Sequence, residues 1–205
     1  MGTETTATPT PTNEKKGGFL GVADFLFDFL ETFSIAVIAV VLLFTFCLRL
    51  CVVEGPSMED TLHDKELLLL TDVAYTPKQG DIVVFHLSDP NFEKTLVKRV
   101  IAVGGQTVRL NFPTGEIYVD DVLYDDLHAT LKNPSGTYLY APQHNYDSAT
   151  GIFSATVPEG CLFVLGDNRN NSKDSRSADV GFVDARCVLG KAVLRLSPFT
   201  VFSDK

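Results

Sequence analysis

Ser57 lies in VVEGPSMEDTL (Val52–Leu62), directly after a Gly-Pro turn. A serine hydroxyl becomes a strong nucleophile only when a base takes its proton. Histidine is not placed to be that base. His63, His86, His128 and His144 are scattered, with no His-Glu-x-x-His and no visible Ser-His-Asp arrangement. The Ser-x-x-Lys signature is missing as well, because the third residue after Ser57 is Asp60. Lysine is the other base available. In LVKRVIAV, read as a strand, Lys98 and Val100 point to one face and Val97, Arg99 and Ile101 to the other. A lysine in such a run either reaches solvent at a sheet edge or is buried. Burial disfavours its charge and lowers its pKa, and a neutral amine can accept a serine proton, giving a Ser-Lys dyad.

A third stretch, VLGDNRNNSKDSR (Val164–Arg176), places many polar residues after an apolar strand. Asp174 and Arg176 suit a charge-assisted pair, and a hydroxyl such as Ser172 suits holding another side chain in place. The same composition also suits a polar loop capping a sheet. Gly-Pro-Ser is likewise ordinary turn chemistry, so each stretch has a purely structural reading beside the chemical one.

The elements that must position these residues fall into four parts. Residues 1–16 are Thr/Pro-rich with almost nothing to bury, and read as a flexible tail. Residues 17–31 place Asp24, Asp28 and Glu31 on one face of a Phe- and Leu-covered helix, an amphipathic juxtamembrane segment. Thr32–Leu48 carries no charge, and with Leu50–Val53 it reads as a transmembrane signal-anchor over 32–53, Arg49 snorkelling to the headgroups. No small-x-small site follows it, so a cleaved signal is not expected. Lys15 and Lys16 favour a cytoplasmic N-terminus and an extracytoplasmic remainder, with Arg49 opposing. Residues 54–205 alternate short β-branched runs with turn signals, which predicts a mainly antiparallel β domain with a loop-rich excursion at about 128–160.

The chain has 205 residues, with 17 basic and 26 acidic side chains and a formal charge of −9. No basic stripe exists, so nucleic acid is not an expected partner. Cys47 and Cys51 would share a helix face; Cys161 and Cys187 fall in apparent strands and are expected as reduced thiols, with a disulfide as the alternative. No Cys-x-x-Cys with histidines at ligand spacing is present, so no metal site is expected.

Taken in order, the span, GPSMEDTL, GDIVVF, VKRVIAVGG, GDNRNNSKDSRS with GFV, and GKAVLRLSPF resemble type I signal peptidase, the bacterial leader peptidase, from about residue 19 to Phe199. The resemblance implies a membrane-anchored serine endopeptidase, without metal or cofactor, that removes signal peptides from secreted preproteins after small residues. It implies Ser57 as nucleophile, Lys98 as general base, Ser172 as the hydroxyl orienting that lysine, and Asp174 with Arg176 as an ion pair beneath the site. It further implies Val53, Met58, Leu62, Leu96 and Val97 as pocket-lining positions and the Ser57 N–H as an oxyanion donor. Some relatives place a second donor, a serine, where this chain has Gly55. The family commonly has proline at Asp60 and Pro-Gly-Asp at Gly104-Gly105-Gln106. A non-catalytic cell-surface binding or assembly relative of the same fold is the competing reading. On the dyad reading, fewer than ten residues separate Ser57 from the span, which holds it within about 30 Å of the membrane.

Overall fold

A computed structural model describes residues 18–89, 92–125, 145–197 and 199–202. The tail at 1–16 and the first part of the excursion, 128–144, lie outside the described residues. Met1–Leu43 and Phe44–Lys205 form two compact units.

One helix dominates the first unit. α1 (Gly18–Phe46) has no proline and runs unbroken through the acidic-faced segment and the apolar stretch, with no boundary at 31/32. Within it Asp24–Thr45, 22 residues, is long and apolar enough to cross a membrane. At 1.5 Å per residue it measures about 33 Å, against about 30 Å of hydrocarbon. The sequence reading carries the span to Val53, but the helix ends at Phe46 and Leu48–Val52 is a strand, β1. Its backbone groups pair with the next strand, Leu48 opposite Thr71 and Val52 opposite Leu67. Arg49 therefore does not extend a helix toward headgroups; it pairs with Asp72 at 3.0 Å. Cys47 and Cys51 share no helix face, since one follows α1 and the other lies on β1.

The second unit is antiparallel throughout its described strands, as expected. After β1 come β2 (Leu67–Thr71), β3 (Ile82–Asp89), β4 (Phe92–Val103), β5 (Thr107–Asn111), β6 (Glu116–Val119) and β7 (Val122–Leu123). They are followed by β8 (Asn145–Asp147), β9 (Ile152–Thr156), β10 (Cys161–Leu165), β11 (Val183–Asp184), β12 (Val188–Leu196) and β13 (Phe199–Val201). One sheet has the order β1-β2-β12-β3-β4-β10-β11 with β13 on β12; the other is β7-β6-β5-β9-β8. The described end of the 128–160 excursion is thus not loop throughout: Asn145–Asp147 and Ile152–Thr156 pair as a hairpin and complete the second sheet. Asp120 and Asp121, both at positive φ (50° and 64°), close the two-residue β6–β7 hairpin, a turn that demands left-handed backbone and tolerates aspartate there.

Strand β4 carries Lys98 and Arg99. It lies between β3 and β10, with Lys98 opposite Val83 and Arg99 opposite Leu165. A residue there has no free sheet edge through which to reach water. Apolar side chains on both sides of this sheet are buried, Phe163 and Leu165 in one cluster and Leu162 and Val164 in another. Cys161 packs against the first cluster and Cys187 against the second, and both thiols are free.

Candidate active site

Ser57 sits in a turn closed by Met58, whose carbonyl accepts from the N–H groups of Thr61 and Leu62 (2.8 Å each). Gly55 opens the turn at φ +82°, backbone that glycine adopts without strain, and its N–H is held by Asp64 Oδ1 at 2.8 Å. Ser57 itself is half-buried.

Lys98 reaches this turn from β4. Its Nζ lies 2.7 Å from Ser57 Oγ and 2.8 Å from the Val97 carbonyl, and the side chain is 1 % exposed. The solvent-edge reading of Lys98 is therefore wrong, because its strand is flanked on both sides. Burial lowers the Lys98 pKa from 10.5 to about 8; Asp174 and Asp167 pull it up and Lys94 pushes it further down. Near neutral pH such an amine is poised between donating to a hydroxyl and accepting its proton.

The loop after β10 fastens the Ser57 turn to the strand that carries Lys98. Asn168 donates from its backbone N–H to the Ser57 carbonyl (3.1 Å) and from Nδ2 to the Pro56 carbonyl (3.0 Å). Asp167, 3 % exposed, accepts the Thr61 hydroxyl at 2.5 Å and a two-pronged pair from Arg99 at 2.9 and 2.7 Å. Gly166 is a close-approach position. A Cβ there would stand 2.1 Å from Ser172 Oγ and 2.4 Å from the Ser57 carbonyl oxygen. Sequence reading left Thr61, Arg99, Gly166, Asp167 and Asn168 without roles. The one signal was the polar density of the loop itself.

Asp174 and Arg176 do form an ion pair, both side chains at 0 % exposure, with Nε–Oδ1 and Nη2–Oδ2 at 2.8 Å. Burial alone would raise the Asp174 pKa. The Arg176 guanidinium and the Gly166 N–H overcome it and hold the carboxyl below its ordinary value. Ser172 is also buried and lies beside Asp174, which its hydroxyl helps keep charged. Its Oγ does not, however, reach Lys98: it stands without a well-formed hydrogen bond among the described residues. Of the five pocket positions, Val53, Met58, Leu62 and Val97 pack in one cluster. Leu96 packs in another, with Val83, Phe85 and Val100, because neighbouring residues of a strand face opposite ways.

A hydroxyl in contact with a buried amine of lowered pKa, set in an antiparallel β domain, is the equipment of a serine hydrolase that works without histidine. Comparison with known proteins narrows the class. Residues 26–197 match the family described as signal peptidase, peptidase S26. Signal peptidase I of Bacillus licheniformis is 35% identical over 182 residues, 85% of this chain and 90% of its own. Signal peptidase IB of Staphylococcus aureus (strain Mu50) is 31% identical over 183 residues, 86% and 92% of the two chains. A crystal structure of a signal peptidase I from Enterococcus faecalis is 29% identical and overlaps 57% of this chain and 97% of its own, with a TM-score of 0.42. The chain belongs to the signal peptidase family, peptidase S26, on its type I branch, and is a serine protease that cleaves signal peptides.

Proposed function

We propose that Ser57 is the nucleophile and Lys98 the general base of a membrane-anchored endopeptidase acting on the signal peptides of exported preproteins. The observation that carries this reading is the 2.7 Å contact between Lys98 Nζ and Ser57 Oγ with the lysine 1 % exposed. Neutral Lys98 takes the Ser57 proton as Oγ attacks the scissile carbonyl, then gives it to the departing amine. Water, activated by the same amine, releases the acyl group from Ser57. The Ser57 N–H supports the oxyanion; the Gly55 N–H is committed to Asp64 and is not a second donor. Ser172 acts from beside Asp174, whose carboxylate its hydroxyl helps keep charged, and the Asp174–Arg176 pair fixes the loop that carries Ser172. Val53, Met58, Leu62 and Val97 form one buried apolar cluster and Leu96 belongs to another; on this reading they back the pockets that take small side chains before the cut.

On this reading the Asp24–Thr45 stretch of α1 anchors the protein in the bilayer. The N-terminal tail is cytoplasmic and the β domain extracytoplasmic, where signal peptides emerge. Protease added to intact spheroplasts then digests the β domain, and protection of that domain overturns the orientation. The decisive experiment is cleavage of a synthetic signal peptide by the purified full chain. Ser57→Ala, Lys98→Ala and Lys98→Arg are all expected to be inactive, the last because a guanidinium keeps its proton in this range. Appreciable turnover by Lys98→Arg removes Lys98 as the base.

A further inference from the structure

Arg195 leaves β12 and crosses to the turn that carries Ser57. Its Nη1 donates to the Thr61 carbonyl at 3.0 Å and lies 3.4 Å from each carboxylate oxygen of Glu66. Its Nη2 donates to Thr200 Oγ1 on β13 at 3.0 Å. The side chains of Arg195 and Glu66 are 17% and 9% exposed. Glu66 is tied to the same segment, since its Oε2 accepts the His63 N–H at 3.1 Å.

Two groups of contacts hold the nucleophile turn. Asp167 and Asn168 grip Thr61 Oγ1, the Ser57 carbonyl and the Pro56 carbonyl, all from one short loop after β10. Holds from a single loop define a line about which the turn can rock. Arg195 supplies a hold from a different direction, on β12, with β3 standing between it and the lysine strand. We propose that Arg195 is a positioning residue for Ser57: by fixing the Thr61 carbonyl it keeps the Ser57 hydroxyl in line with Lys98 Nζ. The proposal rests on the reading of Ser57 and Lys98 as the reacting pair. A guanidinium suits the task because its planar fork serves diverging acceptors at once, here Thr61 and Thr200. Glu66 supplies the counter-charge that lets the cation remain largely out of water.

The test uses the full chain in detergent, a synthetic signal peptide, and four variants. Arg195→Met alone strands a buried Glu66 carboxylate and risks misfolding, so the key variant is Arg195→Met/Glu66→Gln. Its kcat is expected to fall about ten- to a hundredfold with KM within about twofold, since a displaced reacting group costs the chemical step rather than binding. The pH of half-maximal kcat is expected to move as well, because the Ser57–Lys98 contact that it reports is disturbed. Arg195→Lys should recover only part of the rate, as one ammonium cannot span both acceptors. Arg186→Gln, at an exposed pair with Asp184, serves as the unaffected control. An unchanged kcat and pH profile per folded molecule overturns the proposal, whether or not the melting temperature falls. Full recovery by Arg195→Lys does the same, reducing Arg195 to a charge partner of Glu66. Turnover by Ser57→Ala in the same assay is a separate result, which sinks the nucleophile assignment before Arg195 is considered.

Discussion

If Lys98 is the base, its protonation sets the pH dependence of cleavage. With a pKa of about 8, about one-tenth of the amine is neutral at pH 7, half at pH 8 and about nine-tenths at pH 9. kcat/KM for a synthetic signal peptide should therefore climb about tenfold between pH 7 and pH 9 and level off above that. The cause can be probed by charge. Lys94 on β4 is exposed and lowers the Lys98 pKa, so Lys94→Glu should move the profile to the alkaline side. Across solvent the shift is about half a pH unit at low salt and smaller at high salt. Stability carries the same signature. The folded-state pKa is depressed, so the cost of burying the charge is fully present below pH 8 and fades as pH rises from 8 toward 10.5. A fall from 10.5 to about 8 corresponds to about 3 kcal/mol. Lys98→Met should accordingly raise the melting temperature at pH 6 while abolishing cleavage. A profile flat from pH 7 to 9, an acidic optimum, or an acid-side shift in Lys94→Glu would refute the reasoning.

Three further outcomes follow from the loop after β10. Gly166→Ala should inactivate the enzyme, because the new Cβ would stand 2.4 Å from the Ser57 carbonyl oxygen; adding Ser172→Ala should not restore activity, and a rescued double variant would show that Ser172 alone was the obstacle. Asp174→Asn leaves a fully buried guanidinium without its counter-charge and should cost about 3–5 kcal/mol in denaturant unfolding, with a loss under about 1 kcal/mol contradicting the pair's structural weight. Ser172→Ala should lower kcat/KM about ten- to a hundredfold without eliminating it, and steady-state constants equal to those of the parent would leave Ser172 a loop residue.

Much of the second unit could be read in the sequence because strands and turns are local signals. The antiparallel strands beyond residue 54 and the run containing Lys98 are where the alternation puts them. Leu48–Val52 misled for a physical reason. An apolar run adjoining a helix looks like more helix, and only the partner strand, with Leu67 fifteen positions on and opposite Val52, makes it β1. The excursion misled in a similar way, since Asn145–Asp147 becomes a strand only against Ile152–Thr156. The ordered motifs singled out Ser57 and Lys98, which the fold brings into contact, and the density of charge in VLGDNRNNSKDSR pointed to the Asp174–Arg176 pair. What stayed hidden were contacts across long stretches of chain. Thr61 to Asp167 spans 106 residues, Arg99 to Asp167 spans 68, and Arg195 to Thr61 spans 134. No periodicity records such meetings, nor which of the pocket positions share a cluster: Leu96 and Val97, adjacent in sequence, go to different ones.

Asp167 has a mechanical consequence. Its carboxylate holds Thr61, four residues past Ser57, with one oxygen, and Arg99, the neighbour of Lys98, with both. Serine and lysine are thus referenced to a single point rather than to two separate walls. When the sheet breathes, both side chains drift together, and their separation, a difference of two displacements, changes less than either one alone. The arrangement rejects shared motion while staying sensitive to relative motion. A site built on this basis keeps its geometry without needing a rigid frame around the whole of it.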